Sequence, residues 1–76
     1  MPKSVIVYHQ PGRIFCTKTK EFLSKKGIAY TERNVAEDER AMEELQKLGY
    51  YSTPVTFIDG EAVVGFDVKK LESLLG

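Results

Sequence analysis

Two four-residue runs, Val55-Thr56-Phe57-Ile58 and Glu61-Ala62-Val63-Val64, flank the dipeptide Asp59-Gly60. An Asp-Gly pair between strand-forming runs favours a tight turn whose twist matches two antiparallel strands. This span is therefore read as a β-hairpin, and a helix anywhere in it would overturn the fold. Upstream, Val5-Ile6-Val7-Tyr8 is a β-branched apolar run closed by Gln10-Pro11-Gly12. That pattern fits a strand buried on both faces and followed by a turn.

Helical periodicity fills the intervals. Phe15, Cys16, Thr19, Phe22 and Leu23 recur at helical spacing until Gly27, which suits a left-handed C-terminal cap. Ile28 to Val35, with Tyr30, Thr31 and Val35, reads as a second strand. Asp38 offers an N-cap to a helix whose inward face is Ala41, Met42, Leu45 and Leu48, and Gly49 ends it. Asp67 caps a last helix with Val68, Leu71, Leu74 and Leu75 facing inward.

The order β-α-β-α-β-β-α requires a right-handed crossover that sets the first two strands parallel, while the hairpin adds antiparallel strands. The economical arrangement is α/β: a mixed four-stranded sheet with helices on both faces. With 76 residues and 42% apolar content, the chain is expected to form one domain over residues 1–76.

Charge and cysteine usage narrow the function. Eleven basic residues balance eleven acidic ones, so no field favours nucleic acid or an anionic membrane. No apolar run approaches the ~20 residues that span a bilayer. Cys16 is the only cysteine, which excludes an internal disulfide framework or dithiol cycle and fits a reducing, cytoplasmic setting. His9 is expected to be a solvated residue, and without a second ligand at suitable spacing no metal site is expected.

Open α/β sheets bind ligands beyond the carboxyl ends of their parallel strands, here the turn from His9 to Arg13. Free N–H groups at the start of the following helix favour an anion such as a thiolate. The segment Tyr8-His9-Gln10-Pro11-Gly12-Arg13-Ile14-Phe15-Cys16 resembles the glutaredoxin motif Tyr-x-x-Pro-x-Cys-x-x-Cys. Thr53-Pro54 resembles the cis-proline loop of that family, and Val64-Gly65-Phe66-Asp67 resembles its Gly-Phe-Asp turn. These motifs and the element order cover essentially the whole chain.

The resemblance implies a thioredoxin-like fold and thiol–disulfide exchange, in which a first cysteine attacks a disulfide and a second resolves the mixed disulfide. Carried onto this sequence, Arg13 stands at the nucleophile position and Cys16 at the resolving one. Impaired oxidoreductase activity follows; the alternative is a non-catalytic module that keeps the cleft. The resemblance further implies a substrate-binding set of Gln10, Phe15, Thr53, Pro54, Gly65, Phe66 and Asp67. It implies no bound cofactor or iron–sulfur cluster, with glutathione or a reductase as electron donor. Gln10 and Val64 stand where glutathione-using members often carry Lys and Gly, which weakens the case for glutathione. The expected partner is a disulfide-containing protein or a small thiol. The protein is expected as a monomer, with a dimer linked through Cys16 as the alternative.

Several residues carry two readings. Cys16 is either a reactive thiol or a half-buried inert one. Arg13 either favours a thiolate at Cys16 or docks an anionic partner, or is a solvated side chain at a vacated site, or was introduced by a single base change in a Cys codon. Phe15 and Phe66 either rim the site or belong to the core.

Overall fold

The computed structural model describes residues 3–76. Its elements are β1 (Val5–His9), α1 (Ile14–Lys25), β2 (Thr31–Asn34), α2 (Glu39–Lys47), β3 (Val55–Ile58), β4 (Glu61–Val64) and α3 (Val68–Leu75). The strands form one sheet in the order β2-β1-β3-β4. β1 and β2 are parallel, whereas β3 is antiparallel to both β1 and β4. Asp59 and Gly60, both at positive φ, make the two-residue turn between β3 and β4.

Alternation along the strands separates two core layers. Val5 and Val7 face one side, where they join Ile58, Val63, Leu23 of α1 and Leu71 of α3. Tyr8 faces the other, with Val55, Val35 and the α2 residues Ala41 and Leu45. α1 and α3 thus cover one face and α2 the other. A polar staple reinforces the α2 side: the Tyr8 hydroxyl donates to Glu44 Oε1 at 3.1 Å. Arg33 binds both oxygens of Glu44, at 3.1 and 2.6 Å. Burial, and then the Glu44 carboxylate, push the Tyr8 phenol above its ordinary range.

The first two helices end in the same way. Gly27 N–H donates to Ser24 C=O and Ile28 N–H to Leu23 C=O, both at 3.0 Å. Gly49 and Tyr50 repeat the pattern on Gln46 and Leu45. Both glycines are at positive φ, as this paired capping motif requires.

Three sequence expectations shift. The strand expected over residues 28–35 is shorter, because β2 is an edge strand whose one partner, β1, ends opposite Asn34. Ile28 and Tyr30 instead pack against the core as a lead-in. Leu48 is half exposed, since it occupies the C-cap of α2 where the chain turns away. Phe15 is also exposed: the inward stripe of α1 is Cys16, Thr19 and Leu23, and Phe15 falls off that stripe. No helix among the described residues is long and apolar enough to cross a membrane.

Candidate functional site

β1 ends at His9, and the chain turns through Pro11 and Gly12 before α1 begins. Arg13 is the N-cap, with extended backbone (φ −94°, ψ 122°) and no capping hydrogen bond from its side chain. Thr17 N–H is bonded to Arg13 C=O at 3.1 Å. The N–H groups ahead of Thr17 have no acceptor within the helix and point out of its end. Arg13 and Ile14 are exposed at this opening, Ile14 by 70%, and Phe15 by 57%. Lys18 Nζ lies 5.7 Å from the centre of the Phe15 ring.

Cys16 lies one turn further in and is 1% exposed. Its side chain belongs to the buried stripe of α1, so the sulfur is not offered at the mouth. Arg13 is at the mouth.

Hydrogen bonds join the other loops. The Thr53–Pro54 peptide is cis. Gly65 N–H donates to Pro54 C=O at 2.9 Å, which sets the turn after β4 beside the proline loop. Across the other side, Thr53 Oγ1 donates to Gln10 Oε1 at 3.2 Å. Gln10, Thr53, Pro54 and Gly65 are therefore one connected group spanning the loops after β1 and β4. Pro54 is fully buried, while Gln10, Thr53 and Gly65 are half-buried.

Other expected site residues are engaged in the fold. Phe66 packs edge-on against Phe22, with ring centres 6.0 Å apart, and supports the α1–α3 core layer. Phe66 thus packs with the core, whereas Phe15 is exposed beside the helix start. The Asp67 carboxylate accepts from Lys70 N–H at 3.2 Å and so caps α3. Separate cavities lie on the two sides of the helix start and the proline loop. An open one of about 380 Å³ runs down α1 past Arg13, Ile14 and Thr17. A smaller one, about 40 Å³, includes Gln10 and Thr53 but neither Arg13 nor Cys16.

His9 departs from the sequence reading. It is 7% exposed, not solvated, because as the last residue of β1 it shares the Val5 and Val7 face, the side of the sheet that α1 and α3 cover. Its Nε2 is 3.7 Å from Glu32 Oε1, and Lys20 Nζ reaches the same oxygen at 3.0 Å. Burial and then Lys20 push the imidazole below its ordinary range, against the opposing pull of Glu32 and Glu37. Odd-position alternation from Val5 was the available signal.

Two exposed apolar side chains outside the expected site set, Ile14 and Tyr51, also border these loops. Tyr51 is 79% exposed beside Ser52 and Thr53.

The glutaredoxin family model matches residues 5–63. An uncharacterised glutaredoxin-like protein of the rubredoxin operon of Clostridium pasteurianum is 39% identical over 70 residues, covering 91% of this chain and 93% of its own. The glutaredoxin-like protein NrdH of Lactococcus lactis subsp. cremoris is 31% identical, with 92% and 97% covered. Among solved structures, the thioredoxin-like protein BC3987 superposes with a TM-score of 0.90 at 42% identity, covering 95% of this chain and 100% of that one. The NrdH-redoxin of Escherichia coli gives 0.85 at 22% identity over 93% of both chains, a likeness of fold. With its thioredoxin-like mixed sheet and three helices, this chain belongs to the glutaredoxin family of redox proteins.

Proposed function

We propose that this chain is a thiol–disulfide oxidoreductase domain whose own exchange chemistry is impaired, because Arg13 occupies the position of the attacking thiol. One observation carries the reading: the only sulfur nucleophile, Cys16, is 1% exposed one turn inside α1, while the exposed helix start holds a guanidinium. A sulfur at position 13 would face the open N–H groups that stabilise a thiolate. Cys16 alone could form a mixed disulfide but would have no internal partner to resolve it. The partners are a disulfide-containing protein or a small thiol, met in the cytoplasm. The electron donor is a reductase in preference to glutathione, since Gln10 offers no cation to a carboxylate. No cofactor is called for. A buried Cys16 is poorly placed for a disulfide between two chains, which favours a monomer.

The test is turnover of a small mixed disulfide with excess dithiol reductant. The parent should be slow. Arg13→Cys should be faster by about a hundredfold or more, the scale on which restoring a nucleophile acts. Arg13→Cys combined with Cys16→Ser should form mixed disulfides that only external thiol releases. A parent as fast as Arg13→Cys would make Cys16 a sufficient nucleophile and overturn the reading.

The burial of Cys16 equally favours a second reading, a module that binds partners in the cleft without turnover. Native-state labelling with a thiol reagent tests the second. Prompt labelling of Cys16 would count against the binding module, and labelling only in denaturant would support it.

A further inference from the structure

We propose that the small slot between α2 and the Thr53–Pro54 loop selects its substrate by taking one uncharged side chain of valine or threonine size from an extended peptide. The inference rests on the oxidoreductase reading and adds a specificity pocket to it.

The slot has apolar walls, Val35, Met42, Leu45 and Tyr51, with Gln10, Ser52 and Thr53 completing it. Its volume of about 40 Å³ compares with the roughly 10–15 Å³ that one water-sized group requires. About three to four such groups fit, the size of a valine or threonine side chain and not of a phenylalanine ring. The lining carries no Asp, Glu, Lys, Arg or His, so a charged side chain entering it would lose water without gaining a counter-ion. The same holds for a free carboxylate.

Polarity at one end supplies orientation. Thr53 Oγ1 donates to Gln10 Oε1 at 3.2 Å, which leaves the Gln10 N–H2 group and the Thr53 oxygen lone pairs to meet a hydroxyl or a peptide carbonyl. Thr53 directly precedes Pro54, whose carbonyl is held by Gly65. A peptide laid along this loop advances about 3.3 Å per residue with alternating side chains, so every second side chain faces the same way and one of them is offered to the slot beside Thr53.

Arg13→Cys combined with Cys16→Ser provides the probe. The sulfur it supplies attacks a symmetrical disulfide of Ac-Xaa-Cys-NH2 or Ac-Cys-Xaa-NH2, forming a protein–peptide disulfide and releasing one peptide thiolate. Adducts at equilibrium are read by intact-protein mass spectrometry. Valine and threonine at Xaa should exceed glycine, phenylalanine, aspartate and lysine by about tenfold, equivalent to about 1.4 kcal/mol. Adding Ser52→Phe, at an exposed position on the slot's edge, should flatten that preference, and adding Gln10→Lys should shift it toward aspartate. Equal adducts for every Xaa would overturn the slot while leaving the exchange chemistry standing. No adduct with any peptide would overturn the oxidoreductase reading and the slot with it.

Discussion

Helices α2 and α3 start under an aspartate, and α1 does not. Asp38 accepts hydrogen bonds from the N–H groups of Arg40 and Ala41 at 2.9 and 3.4 Å, and Asp67 accepts from Lys70 at 3.2 Å. All three N-caps have the same extended backbone: φ −116° and ψ 106° at Asp38, −103° and 91° at Asp67, −94° and 122° at Arg13. The geometry for a cap is thus present at α1, and only the residue type is missing. Nor does α1 carry an acidic residue in its first turn to complement that end. Two helices use their N-termini for stability, and the third keeps its donors free at the end of β1. Such an end suits an anionic sulfur, and Arg13 adds positive charge to it.

The comparison breaks most readily at α2. Asp38→Ala removes two accepted hydrogen bonds and the ion pair with Arg33, whose Nη1 lies 3.4 Å from Asp38 Oδ2. The loss should be about 1–2 kcal/mol, mostly from the cap because exposed ion pairs contribute little. Asp67→Ala, with one accepted bond, should cost about 1 kcal/mol or less. Denaturant unfolding measures both, and an unchanged midpoint for Asp38→Ala would mean that these caps are not what distinguishes the helices.

The reverse substitution sharpens the contrast. Arg13→Ser should stabilise the protein by about 0.5–1 kcal/mol, raising Tm by several degrees in a domain of this size. A lower Tm would show that the Arg13 side chain supports the fold in its own right. That result would remove the ground for treating the α1 start as stability forgone.

The architecture was legible because it depends on short-range patterns. The Asp59-Gly60 turn, the Asp38 and Asp67 caps and the Gly27 and Gly49 stops each act within a few residues, and all are present. The pattern over residues 28–35 overstates β2 because strand length is set by the neighbour: Thr31–Asn34 pairs only where β1 is available. The site was legible as a set of loops and less so as side chains. Which face a residue takes depends on tertiary packing, so Phe15 and Phe66 could not be assigned to rim or core before α1 and α3 were placed. The Gln10–Thr53 bond joins residues 43 positions apart, and nothing local announces it.

His9 provides the smallest effect and the one most specific to the buried side of the site. It is the only histidine in the chain, so between about pH 5 and 6.5 no other side chain titrates at its ordinary value. Its folded-state pKa is lowered, chiefly by burial and then by Lys20 of α1, with Glu32 of β2 and Glu37 of the following loop pulling the other way. The unfolded chain therefore binds a proton first as pH falls below about 6.5, and stability declines from there until the folded protein also protonates. Above the unfolded value the contribution is fully present. Urea unfolding at pH 7.5 and 5.5 should show the parent weakened at the lower pH, with a smaller difference in His9→Gln. Lys20→Met should also shrink the difference, because it removes the cation that opposes His9 across Glu32 Oε1. If the parent were more stable at pH 5.5, protonated His9 would be favoured in the fold. The shared carboxylate would then outweigh burial, and the β1 end would be an ion-paired surface like the α2 side instead of a buried support for α1.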